Sequence, residues 1–102
     1  MNDIPKKKIY IAGKVSDLPE DEVEVKFAKA QQKLEAKGYE VVNPVTLVKD
    51  STTPWIPAMK ICIPALCECD AIYLLPDWKN SKGARLENNI AQHCDLMTLT
   101  KT

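Results

Sequence analysis

Lys8-Ile9-Tyr10-Ile11-Ala12-Gly13 is a short apolar run that stops at a glycine. Such a run suits a strand buried on both faces in a parallel sheet. Two later stretches repeat the design. One is Tyr39-Glu40-Val41-Val42-Asn43-Pro44, closed by a proline that cannot continue a ladder. The other is Ala71-Ile72-Tyr73-Leu74-Leu75-Pro76. Helical patterns lie between them. Val23, Phe27, Ala30 and Leu34 recur at steps of four, three and four, which is one apolar stripe on an amphipathic helix. Pro19 suits its first turn, Ser16 or Asp17 its cap, and Lys37-Gly38 its end. Val45 to Thr53 reads as a loop. Ile56 to Cys69 carries Met59, Ile63 and Leu66 at helical spacing, and Pro64 is expected to kink or break that helix. Ala84 to Cys94 reads as a third helix with Leu86, Ile90 and Cys94 toward the core, and Leu96 to Thr100 as a last short strand. The order βαβαβαβ predicts an α/β fold: a parallel sheet of four to five strands, right-handed crossovers and helices on both faces. A length of 102 residues suits one domain over the whole chain.

Charge narrows the partners. The 14 Lys+Arg balance the 14 Asp+Glu, so there is no strongly basic face for a nucleic-acid polymer and no polybasic membrane anchor. No apolar run approaches the roughly 20 residues of a membrane-spanning helix. Met1 to Lys8 is polar and lacks the apolar segment of a secretory signal, and Lys6 to Lys8 read as a solvated entry to the first strand. A cytoplasmic protein with no membrane partner is expected. Cys62, Cys67, Cys69 and Cys94 then read as thiols, not disulfides. Cys67-x-Cys69 is not zinc spacing, and His93 is the only histidine, so neither a metal nor an organic cofactor is expected.

In parallel sheets, ligands bind beyond the carboxyl ends of the strands. Here those ends are Gly13, Asn43-Pro44 and Pro76-Asp77-Trp78. The densest segment runs from Leu75 to Glu87. Ser81 can cap the following helix, and the loop and first-turn N–H groups form a natural anion site. Gly83-Ala84 allows a ligand close to the backbone, or serves tight helix packing. Glu87 has two readings: a surface carboxylate paired with Lys or Arg, or a nucleophile or acid in a cleft, tuned by burial. Trp78 either stacks on a base or packs. Asp70 either caps its helix-to-strand turn or faces solvent, and Trp55 reads as core or interface. The Gly13 loop is neither a P-loop nor a Gly-x-Gly-x-x-Gly turn.

Three segments together resemble a small branch of the nucleoside 2-deoxyribosyltransferase-like superfamily, which includes deoxynucleoside 5′-monophosphate N-glycosidases. They are Ile9 to Gly13, Gly38 to Pro44, and Cys69 to Trp78 with Ser81 to Glu87. The resemblance implies a flavodoxin-like or Rossmann-like three-layer sandwich. It implies cleavage of an N-glycosidic bond through a covalent Glu-glycosyl intermediate, captured by a second base or by water. The nucleophile falls on Glu87 and the phosphate-binding serine on Ser81. The first loop, Tyr10 and Gly13 to Ser16, falls on the sugar and phosphate, with Lys14 available to a phosphate. Tyr10 and Asp70 would orient sugar and nucleophile, and Asn43, Asp77, Trp78 and Gly83 would line the substrate. The superfamily carries an aspartate where this chain has Cys62, and Gly13 is followed by Lys14-Val15 instead of proline and a small residue. The expected partner is a deoxynucleoside or deoxynucleotide. The alternative is a non-catalytic nucleotide-binding or regulatory protein that has lost the chemistry. A homodimer or homotetramer is expected, with Trp55, Met59 and Ile63 extending an apolar patch onto the partner.

Overall fold

The computed structural model describes residues 7–100. Most of the polar amino-terminal stretch, Lys6 included, lies outside the described residues. Four strands form one parallel sheet in the order β2-β1-β3-β4: β1 (Lys8–Ala12), β2 (Glu40–Val42), β3 (Ala71–Leu74) and β4 (Met97–Thr100). Tyr10 of the central strand is in register with Val42 on one side and Ile72 on the other. This is the flavodoxin-like three-layer arrangement expected of the strand-helix alternation.

Side chains alternate across each strand, so the sheet carries two cores. Ile9, Ile11, Ala71 and Tyr73 pack against Val23, Phe27, Ala30 and Leu34 of α1 (Glu20–Ala36), the four stripe residues read from the sequence. Tyr10, Ala12, Ile72 and Leu74 face Cys62 and Leu66 of α3 (Trp55–Cys67) and Ala84 and Ala91 of α4 (Lys82–His93).

Several boundaries and phases differ from the sequence reading. A short helix, α2 (Pro44–Leu47), lies inside the expected loop and is capped by the Asn43 side chain. No side chain caps α1, which starts after Pro19, while Asp17 takes a left-handed φ of 67°. The α3 helix runs unbroken through Pro64. Pro64 and Lys60, whose carbonyl loses its donor, are both exposed, so the ring needs no core space and water can serve the carbonyl. In α3 the buried stripe is Met59, Cys62 and Leu66, with Ile63 half-buried. Met59 is thus inside the chain and not part of a surface patch. In α4 the buried stripe is Ala84, Glu87 and Ala91, while Leu86 and Cys94 are exposed and Ile90 is half-buried. Among the described residues no helix is long and apolar enough to cross a membrane.

Candidate active site

Glu87 decides what this surface can do. Among the described residues it is one of two buried polar ones, only 6% exposed, in a helix position where a hydrophobe would ordinarily sit. The Ser81 Oγ accepts the Ala84 N–H at 3.1 Å and fixes the start of α4. One turn later Glu87 points at the sheet. The Tyr10 hydroxyl donates to Glu87 Oε2 at 2.5 Å. Burial pushes the Glu87 carboxyl up to about 7, against the lowering effect of the Tyr10 hydrogen bond. Tyr10 is fully buried, and burial, reinforced by the Glu87 charge, holds its hydroxyl far above the ordinary tyrosine range. It therefore stays a donor. Cys62 stands within reach of the Tyr10 hydroxyl. Burial pushes its thiol up, the Tyr10 hydrogen bond acts against this, and the Glu87 charge adds to it. The thiol is neutral at pH 7.

The loops at the carboxyl ends of β1 and β3 are strapped together. Asp77 Oδ1 accepts the Lys14 N–H at 3.0 Å, and Asp77 Oδ2 accepts from the Lys26 ammonium at 2.6 Å. The same ammonium donates to the Lys14 carbonyl at 2.6 Å. Burial works to raise the Asp77 carboxyl, but the Lys26 and Lys14 hydrogen bonds and the Lys26 charge outweigh it and hold it below the usual carboxylate range. Gly13 lies beneath this strap. A Cβ there would sit 2.5 Å from Leu75 Cδ1, so the glycine is required by close approach.

Cations gather around the start of α4. Lys14 Nζ donates to the Asn80 carbonyl at 3.3 Å and Arg85 Nη1 to the Lys79 carbonyl at 3.2 Å. The Lys82 ammonium lies 4.1 Å from the centre of the Trp55 ring. Together with the free first-turn N–H groups they make this corner electropositive. Ser81 keeps its hydroxyl proton available to a ligand oxygen.

The structure thus brings Tyr10, Glu87, Ser81, Gly83, Gly13, Lys14 and Asp77 to the carboxyl side of the sheet. Asp77 is engaged in holding loops. Gly83 serves helix packing, since a Cβ there would meet Met59 Sδ and Trp55 Nε1 at 3.3 Å. Asn43 is buried and engaged in the fold, its oxygen capping α2 and its amide donating to Gln31 Oε1 at 3.1 Å. Trp78 is half-buried against the second core, and Ser16 is exposed on the outer part of its loop. Asp70 does not join them. It precedes β3 at the opposite end of the sheet, where its carboxylate accepts the Lys8 N–H at 2.8 Å. A four-residue strand, about 13 Å at 3.3 Å per residue, separates it from the carboxyl edge. Trp55, Met59 and Lys26 were not singled out for this region. The one available signal was the i, i+4 spacing of Trp55 and Met59 opposite a glycine.

An α/β protein of flavodoxin-like build, with a buried, protonatable carboxylate at the carboxyl edge of its sheet, is the class that fold and site define. The chain belongs to the family described as Domain of unknown function (DUF4406), whose model matches residues 7–100. No curated protein matches it. Among solved structures, the CMP N-glycosidase BcmB of Clostridium botulinum is similar, with a TM-score of 0.63 and 19% identity over 92% of this chain and 67% of that one. At that identity the likeness is one of fold, and the flavodoxin-like build expected from the sequence is what it bears out.

Proposed function

We propose that the chain cleaves the N-glycosidic bond of a nucleoside or nucleoside 5′-monophosphate, with Glu87 as nucleophile. The observation that carries this reading is the buried Glu87 carboxyl, raised to about 7 and held by Tyr10 beside the electropositive start of α4. The shared fold with a CMP N-glycosidase supports the substrate class. Tyr10 holds Oε2 and leaves the other oxygen to attack C1′ of the sugar. The C–O bond forms as the C1′–N bond breaks, and the base leaves with the electron pair and is protonated by water. Water or a second base then attacks C1′, the ester bond breaks, and the Glu87 carboxylate is restored. Two inversions retain the configuration. Ser81, Lys14, Lys82 and the α4 amides hold the phosphate. The first step needs ionised Glu87, so base release rises with pH through about 7.

Cys62 favours a second reading, a nucleotide-binding or regulatory protein without turnover, because a neutral thiol is a poor proton donor to a departing base. Exposed Ile56, Ile61 and Leu86 supply apolar surface for the homodimer or homotetramer that either reading carries, in a cytoplasmic setting. Chromatography of CMP, deoxynucleosides and their 5′-monophosphates, incubated with wild type or Glu87→Ala, tests the enzyme reading. Base release lost in the variant supports it, and a requirement for an acceptor base marks a transferase. Binding without release from any substrate supports the second reading and overturns the first.

A further inference from the structure

Cys67 closes α3 and Cys94 follows the last residue of α4. These two helices pack directly on each other. Beyond them the chain turns into β3 and β4 side by side, and the Met97 N–H donates to the Asp70 carbonyl at 3.0 Å. Cys67 stands three residues before Asp70 and Cys94 three before Met97, so the two turns carry their cysteines to the same place. Both thiols are exposed and free, and they are near enough that Cys94, after burial, adds to pushing the Cys67 thiol up. The other two cysteines are unlike them. Cys62 is buried beside Tyr10, and Cys69 is buried with its thiol donating to the Ala65 carbonyl at 3.3 Å.

We propose that Cys67 and Cys94 are an oxidisable dithiol that closes to a disulfide across the carboxyl ends of α3 and α4. A peroxide is the matching oxidant. One thiol gives up its proton, its thiolate attacks a peroxide oxygen, the O–O bond breaks, and the leaving hydroxide takes up that proton, so a sulfenic acid and water result. The second thiol attacks the sulfenic sulfur, the S–O bond breaks, and a second water leaves. Two thiols and one hydrogen peroxide give one disulfide and two waters, with two electrons passing from the sulfurs to the peroxide. The two ends are the terminal turns of helices, which shift more cheaply than a packed core, so the thiols can close to bonding distance. The bond forms at the end of the sheet opposite Glu87, independent of any glycosidic chemistry.

The test is a thiol count and intact mass of the protein before and after hydrogen peroxide, with Cys67→Ser and Cys94→Ser alongside. Wild type is expected to go from four reactive thiols under denaturing conditions to two, as a monomer about 2 Da lighter, with peptide mapping joining residues 67 and 94. Either serine variant loses that product. Retention of four thiols, a bond between two chains, or a bridge through Cys62 or Cys69 overturns the proposal.

Discussion

Glu87→Gln separates the charge of the buried carboxylate from its shape. The glutamine keeps an oxygen for the Tyr10 hydroxyl and cannot ionise. In wild type the folded protein holds the Glu87 proton more tightly than the unfolded chain does, because burial raises the carboxyl from an ordinary 4.5 to about 7. The sign follows: unfolding releases a proton in that window, so stability falls as pH rises. The charge penalty is absent below pH 4.5, grows between 4.5 and about 7, and is complete above. That interval corresponds to about 3 kcal/mol. Every other titrating group is common to both proteins and cancels in their difference. The glutamine NH₂ adds an offset that does not depend on pH. With a urea slope of about 1.5 kcal/mol per molar, the variant's midpoint gains about 2 M on wild type between pH 4 and pH 8. Urea unfolding at four or five pH values across that range is the assay. A difference that stays flat with pH would refute the account of Glu87 as a buried carboxyl with a raised proton affinity.

Tyr10→Phe removes the donor that holds Glu87 down, so the carboxyl should titrate above about 7 in the variant, as followed by carbon NMR of labelled glutamate. An unchanged or lower midpoint counts against the hydrogen bond. Gly13→Ala forces a methyl group to within 2.5 Å of Leu75 Cδ1 and should cost about 1–3 kcal/mol, recovered in part by Leu75→Ala in the same chain. Urea midpoints of the single and double variants decide it, and full stability of Gly13→Ala would contradict the close approach.

The central strands β1 and β3 were legible because each carries an apolar run from Ile9 to Ala12 and from Ala71 to Leu74, and α1 because its stripe has one phase only. The phase of α4 was not. Hydrophobicity alone puts Leu86 inside and Glu87 outside, yet the helix buries Ala84, Glu87 and Ala91. Its packing against α3 admits small side chains on the inward stripe, and Gly83 against Trp55 and Met59 belongs to the same fit. Glycine and alanines at positions 83, 84 and 91 held that information, but composition gives them little weight beside a leucine. The engagement of Asp77 and Asp70 was hidden for another reason. Each binds backbone N–H groups brought near by the sheet register, and a backbone partner leaves no trace in residue type. Ser81 was readable because a helix cap is local.

The placement of β1 between β2 and β3 bears on the order in which the molecule is put together. A chain made only as far as β2 holds α1 and its four stripe residues against Ile9 and Ile11, the part of the first core that comes from neighbouring sequence, while Ala71, Tyr73 and Leu75 of that core follow later. The other face of β1, with Tyr10 and Ala12 on it, stays bare until α3, β3 and α4 have been made. Tyr10 and Glu87 are 77 residues apart in sequence and meet only when that second layer closes. Contacts of such separation form slowly, since the intervening chain must be ordered first. Residue 10 thus leaves the ribosome long before its carboxylate partner, and the contact at the centre of the site is among the last to form.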